Sequence, residues 1–184
     1  MKIKFLPLFL WTAAMSGAAT IGVYAADYCT SGLLTRTEGD RNLTSFEITD
    51  GTNTVSVNVN QPAAYGSATY FDRTSSVLTV QPGATIDISS ISWAGSWMHA
   101  YIYVDYDKDG EFDTILNADG SNDGELVSYS YYNDANGATT GLNSAGESVY
   151  YGAGISASGI PSFTIPANLA QGEYRLRLKI DWNS

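Results

Sequence analysis

Trp97-Met98-His99-Ala100-Tyr101-Ile102-Tyr103-Val104-Asp105 decides the fold. Successive side chains of an extended chain point to opposite faces, so Met98, Ala100, Ile102 and Val104 share one side while Trp97, His99, Tyr101, Tyr103 and Asp105 share the other. The first set suits a core. The second is aromatic and ends in a carboxylate. Further along the chain, Tyr174, Leu176, Leu178 and Ile180 alternate with Arg175, Arg177, Lys179 and Asp181, which predicts a strand whose basic row faces solvent or an acidic neighbour. Val55, Val57 and Val59 alternate with Ser56 and Asn58 in the same way.

Working outward, the expected strands are Leu43–Thr49, Thr54–Val59, Thr69–Asp72, Val77–Val80, Thr85–Ile88, Trp97–Asp105, Leu126–Tyr132, Ser162–Ile165 and Tyr174–Trp182. Gln81-Pro82-Gly83 has the chemistry of a type II turn, with proline fixing φ and glycine accepting the positive φ after it. Pro166–Gly172 reads as a loop or a single helical turn. Strands with one apolar face need a second layer to cover it, so the expected fold is all-β, a two-sheet antiparallel β-sandwich, with jelly-roll and immunoglobulin-like topologies both open. Between Asn117 and Ile160 the composition shifts to Gly, Ser, Asn, Ala and Tyr, which predicts surface loops of the kind that carry binding function.

Met1-Lys2-Ile3-Lys4 is a basic start, Phe5–Ile21 is mostly apolar, and Val23-Tyr24-Ala25 ends in the small-residue pattern of a cleavage site. Residues 1–25 are therefore expected to be a signal peptide and 26–184 a single domain, with no membrane insertion after cleavage. Export would place the protein outside the cytoplasm, secreted, at the cell surface or in a periplasm. The chain ends hard against the last strand, as a natural C-terminal strand or as a truncated frame would. The chain carries 19 acidic and 9 basic residues, a net charge of −10. Removing Lys2 and Lys4 gives 7 − 19 = −12. That sign disfavours nucleic acid and anionic membranes, whose phosphates call for clustered Lys and Arg. Cys29 is the one cysteine, so no disulfide forms within the chain.

The nine residues Asp105-Tyr106-Asp107-Lys108-Asp109-Gly110-Glu111-Phe112-Asp113 follow the aromatic strand. Calcium takes about six to eight oxygen ligands, and carboxylates at the first, third, fifth and ninth places with a carbonyl at the seventh supply most of them. Asp105, Asp107, Asp109 and Asp113 fill the carboxylate places, Glu111 would lend its carbonyl, and Gly110 stands at the sharp turn. The twelfth place is Leu116 where an EF-hand has a bidentate Glu, and Tyr101–Val104 before the loop is strand, so no helix-loop-helix is expected. Glu125 offers a further carboxylate. The competing reading is an acidic, solvated hairpin turn that holds no ion.

Catalytic constellations are sparse. His99, the one histidine, lies inside the aromatic strand, and Cys29 has no thiol-protease signature around it. Carboxylates for glycoside hydrolysis are plentiful, but those at 105–113 crowd one turn. Trp93, Trp97, Tyr131 and Tyr132 near Gly/Asn loops are candidate platforms for sugar rings, against the alternative that they fill the core.

Several segments together resemble a GEVED-type domain: Tyr28-Cys29, Tyr70-Phe71-Asp72, Val80-Gln81-Pro82-Gly83, Tyr103–Phe112 in place of a tryptophan-rich W-I-D-W-N-x-D-G-x-F motif, Gly124-Glu125, and Gly172-Glu173-Tyr174-Arg175-Leu176-Arg177. The resemblance covers most of the chain after the leader. An insertion over Asn117–Asp123 separates the acidic turn from Gly-Glu further than is usual for the family. The resemblance implies a β-sandwich module of secreted or surface-attached, Bacteroidetes-like bacterial proteins, often appended to peptidases, glycosidases or adhesins. Taken with the residues, it leads to the expectation of a non-catalytic recognition or adhesion module with a structural calcium loop and a glycan or surface protein as partner. The alternatives are a carboxylate-based glycoside hydrolase or its accessory domain, and a plain structural spacer.

Overall fold

The computed structural model describes residues 19–22, 42–60, 70–94, 99–114, 124–131, 140–150 and 159–181. Eleven strands are present among the described residues: β1 (Ala19–Gly22), β2 (Asn42–Thr49), β3 (Thr54–Asn58), β4 (Val77–Val80), β5 (Thr85–Ala94), β6 (His99–Asp105), β7 (Leu126–Tyr131), β8 (Thr140–Asn143), β9 (Ser148–Tyr150), β10 (Phe163–Thr164) and β11 (Glu173–Asp181). They form a seven-stranded sheet in the order β4-β1-β11-β6-β7-β8-β9 and a four-stranded sheet in the order β10-β5-β2-β3. The expected all-β, two-sheet antiparallel sandwich is what the described residues form, with one parallel pairing among them, β1 on β11.

Alternation in the sequence becomes inside and outside. Ala100, Ile102 and Val104 of β6 with Tyr174 and Leu176 of β11 meet Phe46 and Ile48 of β2, Val57 of β3 and Ile86 and Ile88 of β5 in one buried cluster. Leu78 and Val80 of β4 and Ile165 extend it. Burying each such side chain contributes about 1.5–3 kcal/mol, which is why register is fixed so firmly: a slip of one residue would turn the whole set to water. Ala84 N–H donates to the Gln81 carbonyl and Gly83 has φ +82°, as the Pro-Gly turn requires.

Three expectations change. Residues 70–72 of the proposed Thr69–Asp72 strand are not strand, and Arg73 beside them donates to the Asn58 and Val59 carbonyls instead. The loop-like region holds two strands beyond β7, with β8 pairing β7 and β9 pairing β8. β5 runs on to Ala94 because irregularities against β2, between Glu47/Ile48 and Leu43/Ser45, let the apolar side keep facing the core. Within the expected leader, Ala19–Gly22 lies as β1 between β4 and β11. The rest of that leader, Cys29 and Leu116 lie outside the described residues.

Candidate functional site

β6 delivers Asp105 at its end, and the next carboxylates curl the chain by accepting its own N–H groups. Asp105 Oδ1 accepts the Lys108 N–H at 2.6 Å, Asp107 Oδ1 that of Asp109 at 3.1 Å, and Asp109 Oδ1 that of Glu111 at 2.8 Å. Side-chain carboxylates bonding a backbone two or three residues on are a standard turn-making device. Gly110 takes φ +92°, where a Cβ would be strained.

Glu125 closes this loop from the start of β7. One of its carboxylate oxygens accepts the Tyr106 N–H, and the other accepts the Asp113 N–H at 3.2 Å. Its own N–H donates to the Asp113 carbonyl at 2.7 Å, and its carbonyl accepts the Val104 N–H at 2.9 Å. A register shift between Ile102 and Tyr103 in the β6–β7 pairing accompanies this arrangement. Carboxylate oxygens of Asp105, Asp107 and Glu125 thereby come within 4.8 Å of one another.

The electrostatics of the group are unfavourable as it stands. Asp105 is 1% exposed and its Oδ2 has no hydrogen-bond partner among the described residues. Burial pushes the Asp105 carboxyl above its ordinary range, the Lys108 and Gly110 N–H groups pull it back, and the charges of Asp107 and Asp109 push it up again. Burial likewise raises Glu125, against the N–H groups of Tyr106 and Asp113. The loop's own ammonium is turned elsewhere: Lys108 Nζ sits 4.2 Å from the centre of the Tyr174 ring, over Gly172, where a Cβ would meet it at 2.6 Å. The donor set is all carboxylate oxygen, two members buried and Asp107 exposed, and one buried oxygen lacks a partner. That chemistry fits a hard cation, so the triad could hold a metal ion.

Of the expected carboxylate ligands, Asp105 and Asp107 belong to this group, while Asp109 and Asp113 do not. Asp109 and Asp113 are exposed and serve the loop through the hydrogen bonds above, as does the N–H of Glu111. Glu125 enters across the insertion because β6 and β7 are adjacent antiparallel strands, so distance along the chain does not become distance in space.

Of the aromatic candidates, Trp97 and Tyr132 lie outside the described residues. Trp93 pairs in register with buried Leu43, and Tyr131 with Leu142, an exposed residue. A different aromatic surface is well defined on the outward side of the seven-stranded sheet. Lys179, Tyr101 and Tyr129 form one row across β11, β6 and β7, and Arg177 stands beside Tyr103 in the next. The Arg177 guanidinium lies 4.3 Å from the centre of the Phe112 ring, which meets Tyr103 edge to face at 5.8 Å, and Lys179 Nζ is 5.6 Å from the centre of Tyr101. Both alternations were visible in the sequence; the register that lays one against the other was not.

The fold and the site define a β-sandwich module with a partly buried acidic triad at the end of a central strand. Residues 99–184, the part of the chain from β6 to β11, match the family model of the GEVED domain. The match contains the acidic loop, Gly124-Glu125 and the Gly172–Arg177 segment, and the segments at Tyr28, Tyr70 and Val80 precede it. No curated protein and no solved structure matches the chain.

Proposed function

We propose that the chain carries a GEVED domain and is an exported, non-catalytic recognition module that binds glycans and whose acidic loop is set by one calcium ion. The observation that carries the calcium reading is the buried Oδ2 of Asp105, without a hydrogen-bond partner among the described residues, on a carboxylate that lies within 4.8 Å of those of Asp107 and Glu125. Calcium suits this group better than magnesium, because flexible oxygen coordination tolerates a set shaped by turns and a bulge. The remaining ligands would come from the loop backbone and water. Asp105 and Glu125 use their other lone pairs on loop N–H groups, which supports a structural role over acid-base chemistry on a substrate.

The glycan reading is supported by half-buried tyrosines on the outer sheet face, since aromatic faces cover the apolar sides of sugar rings while neighbouring polar groups take the hydroxyls. A glycan array probed with the calcium-loaded protein and again in chelator tests both parts. Binding to a glycan class with calcium, weakened in chelator, is the expected result. Hydrolysis of an arrayed glycan would overturn the non-catalytic reading, and absence of binding would overturn the glycan reading.

A further inference from the structure

We propose that the place of β1 between β4 and β11 is a docking slot for an extended strand from another protein, vacated when residues 1–25 are cleaved; this rests on the export reading above. β1 pairs antiparallel with Val77–Val80 of β4 and parallel with Glu173–Arg175 of β11, and it joins β4 to the rest of the seven-stranded sheet. All of Ala19–Gly22 belongs to the expected leader. Cleavage after Ala25 therefore takes a strand out of the sheet and leaves two backbone edges facing each other across about 9.5–10 Å, twice the strand spacing.

The slot stays open because its two walls are anchored independently. β11 is held by β6 from Arg175 to Asp181. β4 is tied to the other sheet. Leu78 and Val80 are each 1% exposed, the Asn53 side-chain amide donates to the Thr79 carbonyl, and Arg73, in the turn before the strand, donates to the Asn58 and Val59 carbonyls. After the strand, Gly83 N–H donates to the Ile165 carbonyl and Ile165 N–H to that of Ala84. Sliding β4 one strand's width onto β11 would break these bonds and draw Leu78 and Val80 out of the core.

Register sets what fits. Ile21 pairs with Leu78 on one side and Tyr174 on the other, and Ala19 pairs with Val80; those three partners are buried, whereas Thr79 and Glu173, the partners of Thr20, are exposed. An incoming strand therefore needs apolar residues two apart with a small or polar residue between them. Residues 26–41 of the mature chain offer that spacing only in Ala26 and Tyr28 at the free end, and Leu33 and Leu34 are adjacent, so a strand would turn one of them outward. A donor from another chain is free of that limit. It also gains hydrogen bonds along both of its edges, where addition to an outer strand such as β3 or β9 gains them along one.

The full chain, expressed in an exporting bacterium and recovered from outside the cytoplasm, is tested against a synthetic peptide of residues 17–24, with mass spectrometry reporting whether the leader is gone. Unprocessed chain from the cytoplasm is the comparison with the slot filled. Expected are saturable binding of the peptide by the processed protein, slower hydrogen exchange over Val77–Val80 when it binds, and no binding by the unprocessed chain. Peptides with Ile21→Asp or Thr20→Pro should bind roughly tenfold or more weakly, the first because it sets a charge in the row of Leu78 and Tyr174, the second because it removes a backbone donor. A processed protein that folds only with the peptide present supports the slot equally. No binding, or equal binding of the variant peptides or by the unprocessed chain, would overturn the proposal. So would Val77–Val80 amides as protected in the processed protein alone as in the unprocessed chain, since the chain would then have closed or filled the slot itself. Self-association that displaces the peptide would overturn it in favour of a second copy as occupant. A leader found intact on the recovered protein would overturn the export reading and this proposal with it.

Discussion

Asp105 and Glu125 are buried together at the two ends of one acidic loop, and Glu125 bonds the N–H of Tyr106, the residue following Asp105. This pairing, more than the run of aspartates, defines the candidate ion site, and it separates two predictions that the linear motif would merge. Calcium at roughly fifty times its Kd should stabilise the protein by about 2 kcal/mol, raising the melting temperature by roughly 5–9 °C over chelator. Glu125→Ala should abolish that difference and lose about 2–4 kcal/mol by itself, because two loop N–H groups lose their acceptor. Asp109→Ala should keep most of the calcium response. Equal responses in the two variants would return the site to the linear loop.

Asp105→Asn should reverse its effect with conditions. Burial raises the Asp105 and Glu125 carboxyls above their ordinary values of 3.8 and 4.5, so the folded state holds those protons more tightly than the unfolded chain does. That contribution is present below the ordinary values and is lost as pH rises through the raised ones. Without calcium, then, the wild-type protein should lose stability relative to Asp105→Asn between pH 4 and pH 7. Calcium competes with the same protons, so in its presence at pH 7 the wild type should be the more stable. Urea denaturation at the two pH values, with and without calcium, reads the crossing; a variant less stable than wild type in calcium-free buffer at pH 7 would contradict it.

How much of this was legible depended on whether the signal was local. β4 was readable to the residue from its short β-branched run, and β3, β6 and β11 to within two, because alternation along the strand carries its own evidence of one buried face. β8 and β9 were not, since Thr140-Gly141-Leu142-Asn143 and Ser148-Val149-Tyr150 have little alternation and form on the edge that β7 provides. Their turn is fixed by Asn143, whose Oδ1 accepts the N–H groups of Ala145 and Glu147, a hydrogen-bonding pattern that composition does not reveal. The acidic loop was visible from its spacing alone. Placing Glu125 within it needed the β6–β7 pairing, and identifying the Arg177–Phe112 contact needed the β6–β11 register as well.

That contact ties the loop to the sheet face and can be measured. Phe112 belongs to the acidic loop and touches Arg177 and Tyr103 of the central strands. A double-mutant cycle of Phe112→Ala and Arg177→Gln should give a coupling of about 0.5–1 kcal/mol, the usual size for a cation over an exposed ring. The coupling should grow when calcium orders the loop and shrink in chelator. A value near zero in both conditions would mean that the loop and the face are energetically independent.

The last prediction concerns β1. β4 has β1 as its hydrogen-bonded neighbour in the seven-stranded sheet, and β1 lies inside the segment that the sequence marks as a leader. Leu78 and Val80 of β4 are almost wholly buried, so hydrophobic packing should keep that strand in place when residues 1–25 are absent, while its backbone loses its partners. In hydrogen exchange, protein beginning at Ala26 should therefore show faster exchange over Val77–Val80 than the full chain, with β2 and β6 unchanged because their neighbours remain. Unchanged protection of Val77–Val80 would mean that β11 or another segment takes the place of β1. Glu173–Arg175 of β11, the other neighbours of β1, should exchange faster too; loss of protection in β6 as well would mean that residues 19–22 are an integral strand of the domain, and that cleavage after Ala25 is the wrong reading of the N-terminus.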